Sequence, residues 1–302
     1  MAPVSWLLVR EVKVHRESSD GTKFTLNVYF RKCWDLMSSK AFFYVVIYNF
    51  FGPFVGGIST TAGSYVKKEW AGVHNLQNQM FSLISSLLFS ATLYVVKKKF
   101  LNYSWRKMLF ATAIVLIVTD MFFVFLTIFD IVRNQYFYLG ESILIDIPAA
   151  ANFVVGTYII VEMAEEGNEG LTYGLLTTVA NLSSPFSRAV GNQIYGRFKP
   201  DLSDSNNFKE DSHHFRDIVA YSFGLSYAFN LLSLSFLLLI PNQKAMAQER
   251  KQTWGRKSIY AWTTCSLLGF SLAYSISMNF LTMFPKTMCL GIAGGNGCSD
   301  TS

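Results

Sequence analysis

The sequence predicts an all-α protein, a polytopic helix bundle that lies in a membrane. Hydrophobic residues make up 51% of the 302-residue chain and charged residues only 15%, whereas a soluble domain carries about a quarter charged residues. The apolar residues also form long blocks with few charges, and blocks of about 18 residues or more mark transmembrane helices. The sequence therefore indicates an integral, multi-pass membrane protein.

Seven such blocks follow a polar N-terminal arm at 1–40, which holds seven Lys or Arg residues. Six blocks form one predicted unit at 41–240, and a more polar seventh follows a basic loop at 241–260. Each block has 18 to 25 residues, which at about 1.5 Å per helical residue matches a hydrocarbon core of about 30 Å. The predicted spans are 41–63, 79–96, 107–130, 138–161, 171–195, 217–240 and 261–284. In the arm, 24–37 fits either an amphipathic helix on the membrane surface or a plain cytosolic lead-in.

The basic residues predict the orientation of the chain. The arm and the loops at 97–107 and 242–257 hold 17 Lys or Arg residues, and the connections on the other side hold eight. The positive-inside rule therefore places the N-terminus in the cytoplasm and the tail at 285–302 outside, with the plasma membrane as the expected location. The acidic loop at 162–170 does not change this orientation, because Asp and Glu contribute little to the rule. Because topology explains the net charge of +6, we expect no nucleic-acid partner.

The cysteines and histidines predict no metal centre and no cofactor. The four cysteines have no CxxC or metal-ligand spacing. His213 and His214 lie in a polar outer loop, where solvation explains them better than a metal ion. Cys289 and Cys298 lie in the extracytoplasmic tail, where an oxidising compartment permits a disulfide. The sequence leaves open whether they pair.

Four ionisable residues stand out inside the predicted spans, where a charge costs about 2.5–3.5 kcal/mol and normally faces a partner in the bundle interior. Asp146 and Arg188 lie roughly 12 and 10 Å from the outer ends of spans four and five, and Asp120 lies roughly 15 Å deep in span three. Since spans four and five are antiparallel and joined by a short loop, we expect Asp146 and Arg188 to meet, with Asp120 a turn deeper. Glu141 is about one turn from the surface and is expected to snorkel to it.

These charges predict a polar site along a solute pathway. Aspartates suit protons or cationic groups, and the planar fork of Arg188 suits a carboxylate. Asn152 and Asn181 add polar groups at mid-membrane depth. Pro148 and Pro185 lie beside the charges and can bend both helices, as the moving parts of a transporter require. The alternative is a salt bridge that only fixes how the two spans pack.

Two segments resemble a known family. GNEGLTYGLLTTVANLSSPFSRAVGNQI, at 167–194, resembles part of the folate-biopterin transporter family of the major facilitator superfamily, in which an acidic-Gly pair opens a helix of the type EGTxxALLTTxxN. Leu171 departs from that pattern, since a small hydroxyl residue is expected there. KKEWAGVHNLQNQMFSLI, at 67–84, resembles the loop after the first helix of the family's C-terminal half. The matching residues are Trp70, Ala71, Gly72, Glu169, Gly170, Leu175, Leu176, Thr177, Thr178 and Asn181.

The resemblance covers about 41–240 and implies a fold of twelve helices in two halves of six. It also implies transport of folates, pterins or related solutes, with protons. The chain is expected to hold the six helices of the C-terminal half and one further helix, with 1–40 similar to the linker between halves. It is therefore expected to be either a truncated product or a half-transporter that pairs with a second copy or with a missing N-terminal half.

The sequence also bears on three other classes of membrane protein. A seven-span receptor usually has its N-terminus outside, and the basic arm argues against that. An intramembrane enzyme is not expected, because the sequence has no HExxH, no recognisable pair of catalytic aspartates and no Ser-His pair within the spans. A non-transporting structural or regulatory membrane protein remains the main alternative. The prediction is a secondary transporter, or part of one, whose partners are a small organic solute, protons and the lipid bilayer.

Overall fold

The computed structural model of the chain describes residues 26–100, 103–164, 168–290 and 292, and its regular elements are helices. This confirms the predicted all-α class. A turn at Gly63–Tyr65 and a π-helix at Val66–Trp70 follow the helix Lys40–Gly56, and a 3-10 helix at Leu234–Leu238 continues the helix His213–Ser233. The helices are α1 (Leu26–Met37), α2 (Lys40–Gly56), α3 (Asn75–Lys99), α4 (Trp105–Ile128), α5 (Gln135–Met163), α6 (Glu169–Tyr195), α7 (Ser205–Glu210), α8 (His213–Ser233), α9 (Lys244–Thr253), α10 (Ser258–Met283) and α11 (Pro285–Met288).

Five helices in the described part of the chain are long and apolar enough to cross a membrane. These are Asn75–Lys98, Trp105–Ile128, Gln135–Met163, His213–Leu238 and Ser258–Met283. Helices also occupy the other two predicted spans, but α2 has only 17 residues, and α6 has 27 residues with a more polar composition. The protein is thus an integral, multi-pass membrane protein with a helix at each of the seven predicted spans.

The helices pack in two groups of three. One group contains α3, α4 and α5, and the other contains α2, α6 and α8. Contacts of α5 with α6 and of α4 with α8 join the groups, and α10 packs against α6 and α2. We call the end of the bundle where α3 ends and α4 begins the basic end.

A cluster of buried apolar side chains lies toward each end of the bundle. At the basic end, Phe50, Trp105 and Ile159 belong to one cluster. At the opposite end, Ile128 and Tyr195 belong to a second. Since lipid is as apolar as these side chains, van der Waals packing within the two clusters, rather than removal from water, fixes the ends of the helices relative to one another.

Helices α2 and α6 approach closely at Gly57. A Cβ atom at Gly57 would lie 2.6 Å from the Ser187 hydroxyl oxygen and 2.6 Å from the Pro53 carbonyl oxygen. The residues on the buried face of α6 are small here, namely Ser183, Ser187 and Gly191. Gly57 also caps α2, because its N–H donates to the carbonyls of Pro53 and Val55. This cap ends the helix seven residues before the predicted end of the first span.

The predicted amphipathic segment at 24–37 contains α1, which packs against α10. The Trp34 and Trp262 rings lie 5.1 Å apart in an edge-to-face arrangement. Leu36 and Met37 are buried, whereas Phe30 is exposed. The described part of the arm is thus docked on the bundle.

Helix α10 packs on α6 and α2, and the residues that it buries are small. Ala261, Thr264, Ser271 and Ser275 are buried along it. The Gln193 amide of α6 donates a hydrogen bond to the Tyr274 hydroxyl at 2.6 Å. Beyond α10, Cys289 is disulfide-bonded, while Cys298 and most of the predicted tail lie outside the described residues.

Candidate functional site

Asp120 of α4 lies in a cluster of polar side chains toward the end opposite the basic end. The Tyr227 hydroxyl of α8 donates to Asp120 Oδ2 at 2.6 Å. Asp120 is eight residues, or about 12 Å, from the end of α4. Tyr227 is only 6% exposed. The contact therefore fixes a carboxyl group at depth between the two groups of helices.

Glu141 of α5 belongs to the same cluster. Its carboxyl group shares a side-chain hydrogen bond with Asp120, and the Lys67 ammonium group interacts favourably with it. Glu141 is 7% exposed, so the expectation that it snorkels to the surface is wrong. The helix begins at Gln135, three residues earlier than predicted, which places Glu141 about 9 Å inside. At that depth the Glu141 carboxyl group contacts the Asp120 carboxyl group rather than water.

Three members of the cluster were not singled out from the sequence. Tyr138 lies one turn before Glu141 and interacts with both carboxyl groups. Its i, i+3 spacing from Glu141 was a usable signal, since such residues share a helix face. Lys67 lies in the π-helix, and its Nζ donates to Asn78 Oδ1 at 2.8 Å. No local pattern indicates Tyr227, because it is 107 residues from Asp120.

Asp146 and Arg188 are not brought together as expected. Neither takes part in an ion pair among the described residues. Asp146 is partly exposed on α5, while Arg188 is exposed on α6. Arg188 lines a groove against α10, whereas the buried face of α6 packs on α2. Equal depth in neighbouring helices does not bring the two side chains together, because the rotation of α6 about its axis directs Arg188 toward α10.

One face of α6 is both exposed and polar. Its members recur every three or four residues, the spacing of a single helix face, and are Thr178, Asn181, Ser184, Arg188 and Asn192. We call these five residues the polar face of α6. By contrast, α3 exposes Leu76, Met80, Leu83 and Leu87, as a helix in lipid does. An Arg with four polar neighbours is costly against hydrocarbon, so the polar face requires water, a solute or a protein wall.

Arg188 opens into a groove of 200 Å³ between α6 and α10. Pro185 and Asn192 line it from α6, and Asn279 and Thr282 line it from α10. Arg188 has five N–H donors in a planar fork. Asn192 lies one turn along the same face of α6. The groove therefore offers a cation with neutral hydrogen-bonding groups beside it, a combination suited to an anion that also carries polar atoms.

The two asparagines have different surroundings. Asn181 is exposed on the polar face of α6. The Asn152 amide oxygen instead accepts a hydrogen bond from the Thr112 hydroxyl, across the contact between α5 and α4. Their assignment to a solute pathway stays a prediction.

The family-motif residues occupy turns and helix starts. The Trp70 indole N–H donates to the Phe208 carbonyl at 2.9 Å, which ties the π-helix to α7. Gly72 has φ +65°, a conformation that favours glycine. Glu169 and Gly170 open α6, where an acidic side chain complements the helix dipole. Thr177 donates to the Tyr173 carbonyl one turn earlier.

A charge network joins the loops at the end opposite the basic end. Asp211 accepts from Arg133 and from Arg216, each at 2.6 Å. The Arg133 guanidinium lies over the Trp70 ring, 4.9 Å from its centroid. Burial opposes the ionisation of Asp211, but the hydrogen bonds and charges of the two arginines outweigh it and lower the pKa of Asp211 to about 2. The network holds the π-helix, the α4–α5 loop and the start of α8 together.

Residues 35–258 match the model of the BT1 family, the folate-biopterin transporters, over well more than half of the chain. The chain belongs to this family. The match is consistent with the major facilitator superfamily and confirms the predicted resemblance. It begins within α1 and stops at the first residue of α10. No curated protein and no solved structure matches the chain.

Membership of the folate-biopterin transporter family, together with the apolar helices, places the chain in a family of membrane transporters. Of the two family-like segments, one runs from the π-helix into α3 and the other lies along α6. The groove between α6 and α10 combines a family helix with a helix beyond the family match.

Proposed function

We propose that this folate-biopterin transporter family member moves a small anionic solute of the folate or pterin type across the plasma membrane, coupled to protons and without enzymatic chemistry. The observation that carries the proposal is the polar face of α6, on which Arg188 has no ion-pair partner among the described residues and opens into a groove.

Arg188 and its neighbours suit a solute with a carboxylate and a heterocyclic ring. The guanidinium fork can bind a carboxylate through two parallel hydrogen bonds. Asn192 and Asn279 provide amide groups for ring nitrogens and carbonyls. Pro185 and Met278 line the groove and offer apolar surface to a planar ring.

The contact between Asp120 and Glu141 supports a role for protons. Two carboxylates have only acceptors, so a hydrogen bond between two carboxyl groups contains a proton. Tyr227 donates to Asp120, and Lys67 favours charge on Glu141. With one shared proton the pair carries a single negative charge, which Lys67 balances. Release of that proton leaves one further negative charge, so the site favours holding the proton until a change in its surroundings or in the external pH removes it. We assign proton uptake to this pair, with Asp146 further along α5.

The open polar face of α6 supports assembly with another protein wall. We propose that a second copy of the chain covers it, because lipid is a poor solvent for Arg188 and its polar neighbours. Chemical crosslinking of the chain in membranes tests this point. Dimers that disappear when Asn181 and Ser184 are replaced by Trp support it, and exclusively monomeric chain contradicts it.

The basic end supports the proposed orientation, with this end in the cytoplasm. Lys97, Lys98 and Lys107 are exposed there, at the level where cytoplasmic loops carry their positive charge. Protease cleavage of the N-terminal arm in sealed right-side-out vesicles would contradict the orientation. It would favour a receptor-like topology instead.

Uptake by proteoliposomes tests the proposed function directly. The full chain is reconstituted and offered a panel of radiolabelled folates and pterins, with and without an inward proton gradient. We expect saturable uptake of at least one panel member that the gradient stimulates. Failure of every panel member in vesicles that contain folded protein would favour a non-transporting membrane protein.

A further inference from the structure

Two open apolar grooves flank α4 at the basic end of the bundle. The first, of 540 Å³, lies between α3, α4 and α5, and Met108, Ala111 and Ile147 contribute to its walls. The second, of 480 Å³, lies between α4 and the 3-10 helix, with walls that include Phe110 and Leu238. Each lies within the range of about 300–1,000 Å³ that is typical of small-molecule sites.

Lys107 of α4 borders both grooves. Its side chain is exposed and forms no ion pair with any described residue. The preceding residue, Arg106, already has protein partners, because its guanidinium donates hydrogen bonds to the carbonyls of Ile240 at 2.7 Å and Leu238 at 2.8 Å. Of these two cations, Lys107 is therefore the one left to bind a ligand.

The position of Lys107 along α4 matches the level of lipid headgroups. It is the third residue of a helix that can cross the membrane. Tyr103, which is exposed, lies just before it, as aromatic residues do at membrane interfaces. Lys97 and Lys98 at the end of α3 add positive charge at the same end. An anionic headgroup gains about 1 kcal/mol from each such Lys.

From this arrangement we propose that the surface around Lys107 is a binding site for an anionic diacyl phospholipid. The phosphate pairs with Lys107, one acyl chain lies in the first groove, and the other lies in the second. A cation placed between two apolar grooves matches a ligand with one charged head and two apolar chains. A single-chain amphiphile would leave one groove empty, and a zwitterionic headgroup would gain less from the excess of positive charge. The site is separate from the groove of Arg188.

Native mass spectrometry of the delipidated full chain in detergent tests the proposal. The chain is titrated with dioleoyl phosphatidylglycerol and, in parallel, with dioleoyl phosphatidylcholine. We expect preferential retention of phosphatidylglycerol and about five-fold weaker retention by Lys107→Gln, since one lysine is worth about that factor at a membrane surface. Ala111→Trp and Ser235→Trp each fill one groove, so both should weaken retention of the two lipids.

Lys257→Gln is the matched control, because this exposed lysine at the basic end borders neither groove. We expect it to bind phosphatidylglycerol as the unaltered chain does. Equal retention of the two lipids by the unaltered chain would overturn the proposal. Undiminished retention of phosphatidylglycerol by Lys107→Gln would also overturn it. So would a loss of retention in Lys257→Gln as large as that in Lys107→Gln, because this would indicate that the lipid is attracted to the basic end in general. Circular dichroism confirms that each variant is folded.

Discussion

The Tyr227 hydroxyl donates a hydrogen bond to the Asp120 carboxyl group at 2.6 Å, which joins α8 to α4 at membrane depth. Asp120 in turn contacts Glu141 of α5, so one carboxyl group connects three helices from both groups of the bundle. This cluster and the polar face of α6 both hold ionisable groups away from the ends of the bundle.

Replacing Tyr227 by Phe removes the donor to Asp120 but keeps the ring. We expect the variant to lose about 1–3 kcal/mol of unfolding free energy, the cost of leaving a buried hydrogen-bonding group unsatisfied. Thermal unfolding in detergent measures the loss. Tyr221→Phe on the same helix is the control, because Tyr221 is 73% exposed. Equal stability of the two variants would contradict a role for the contact in joining α8 to α4.

Replacing Glu141 by Gln removes the ionisable partner of Asp120 while keeping its shape. If the pair takes up the coupled proton, the variant should lose the stimulation of uptake by an inward proton gradient. The flux without a gradient should change less, because Arg188 remains. Uptake at several external pH values, with Asp217→Asn as the exposed control, measures this. Stimulation that persists in Glu141→Gln would place the proton site elsewhere.

Replacing Gly57 by Ala tests the close contact between α2 and α6. The new methyl group would lie 2.6 Å from the Ser187 hydroxyl oxygen and 2.6 Å from the Pro53 carbonyl oxygen, so the end of α2 must shift away from α6 and from its own last turn. Overpacking of this kind costs about 1–3 kcal/mol. Gly156→Ala is the matched control, since a Cβ atom there meets nothing within 4 Å. A Gly57→Ala variant as stable as Gly156→Ala would show that the helices adjust freely.

Asp211 predicts a pH dependence of stability. Its pKa is lowered from 3.8 to about 2 in the folded chain, so its contribution is fully present above the unfolded value and is lost as the pH falls through about 2. Asp211→Asn should lose about 1.5–3 kcal/mol near pH 7, the range for hydrogen bonds to charged groups. The difference from the unaltered chain should shrink toward pH 2. Melting curves from pH 7 to pH 2.5 check this, and the exposed Glu210→Gln should show no such trend.

The helices could be predicted closely because membrane spans are set by length and hydrophobicity, which the sequence displays directly. The first span is the exception. Its apolar composition continues to residue 63, but the cap at Gly57 ends the helix. A cap depends on local backbone hydrogen bonds, which hydropathy does not reveal. Asp120 could likewise be singled out as a charge in an apolar block.

The arrangement of the side chains could not be predicted in the same way. Hydropathy gives the depth of Arg188 but not the rotation of α6 about its axis, and rotation decides that Arg188 faces α10 instead of Asp146. Glu141 was misjudged because a shift of three residues in the start of α5 changes its depth by about one turn. The contact of Tyr227 with Asp120 depends on tertiary packing between helices that are distant in sequence.

Uptake of a radiolabelled folate or pterin by proteoliposomes that contain Arg188→Gln tests the central claim most directly, namely that the polar face of α6 carries the solute. Arg197→Gln is the control, since Arg197 is an exposed arginine just beyond the end of α6. We expect Arg188→Gln to lose at least ten-fold in uptake while it melts at the same temperature as the unaltered chain. Arg188→Lys should recover only part of the rate, because an ammonium group cannot form the paired hydrogen bonds of a guanidinium group. Unchanged uptake by folded Arg188→Gln would contradict the claim.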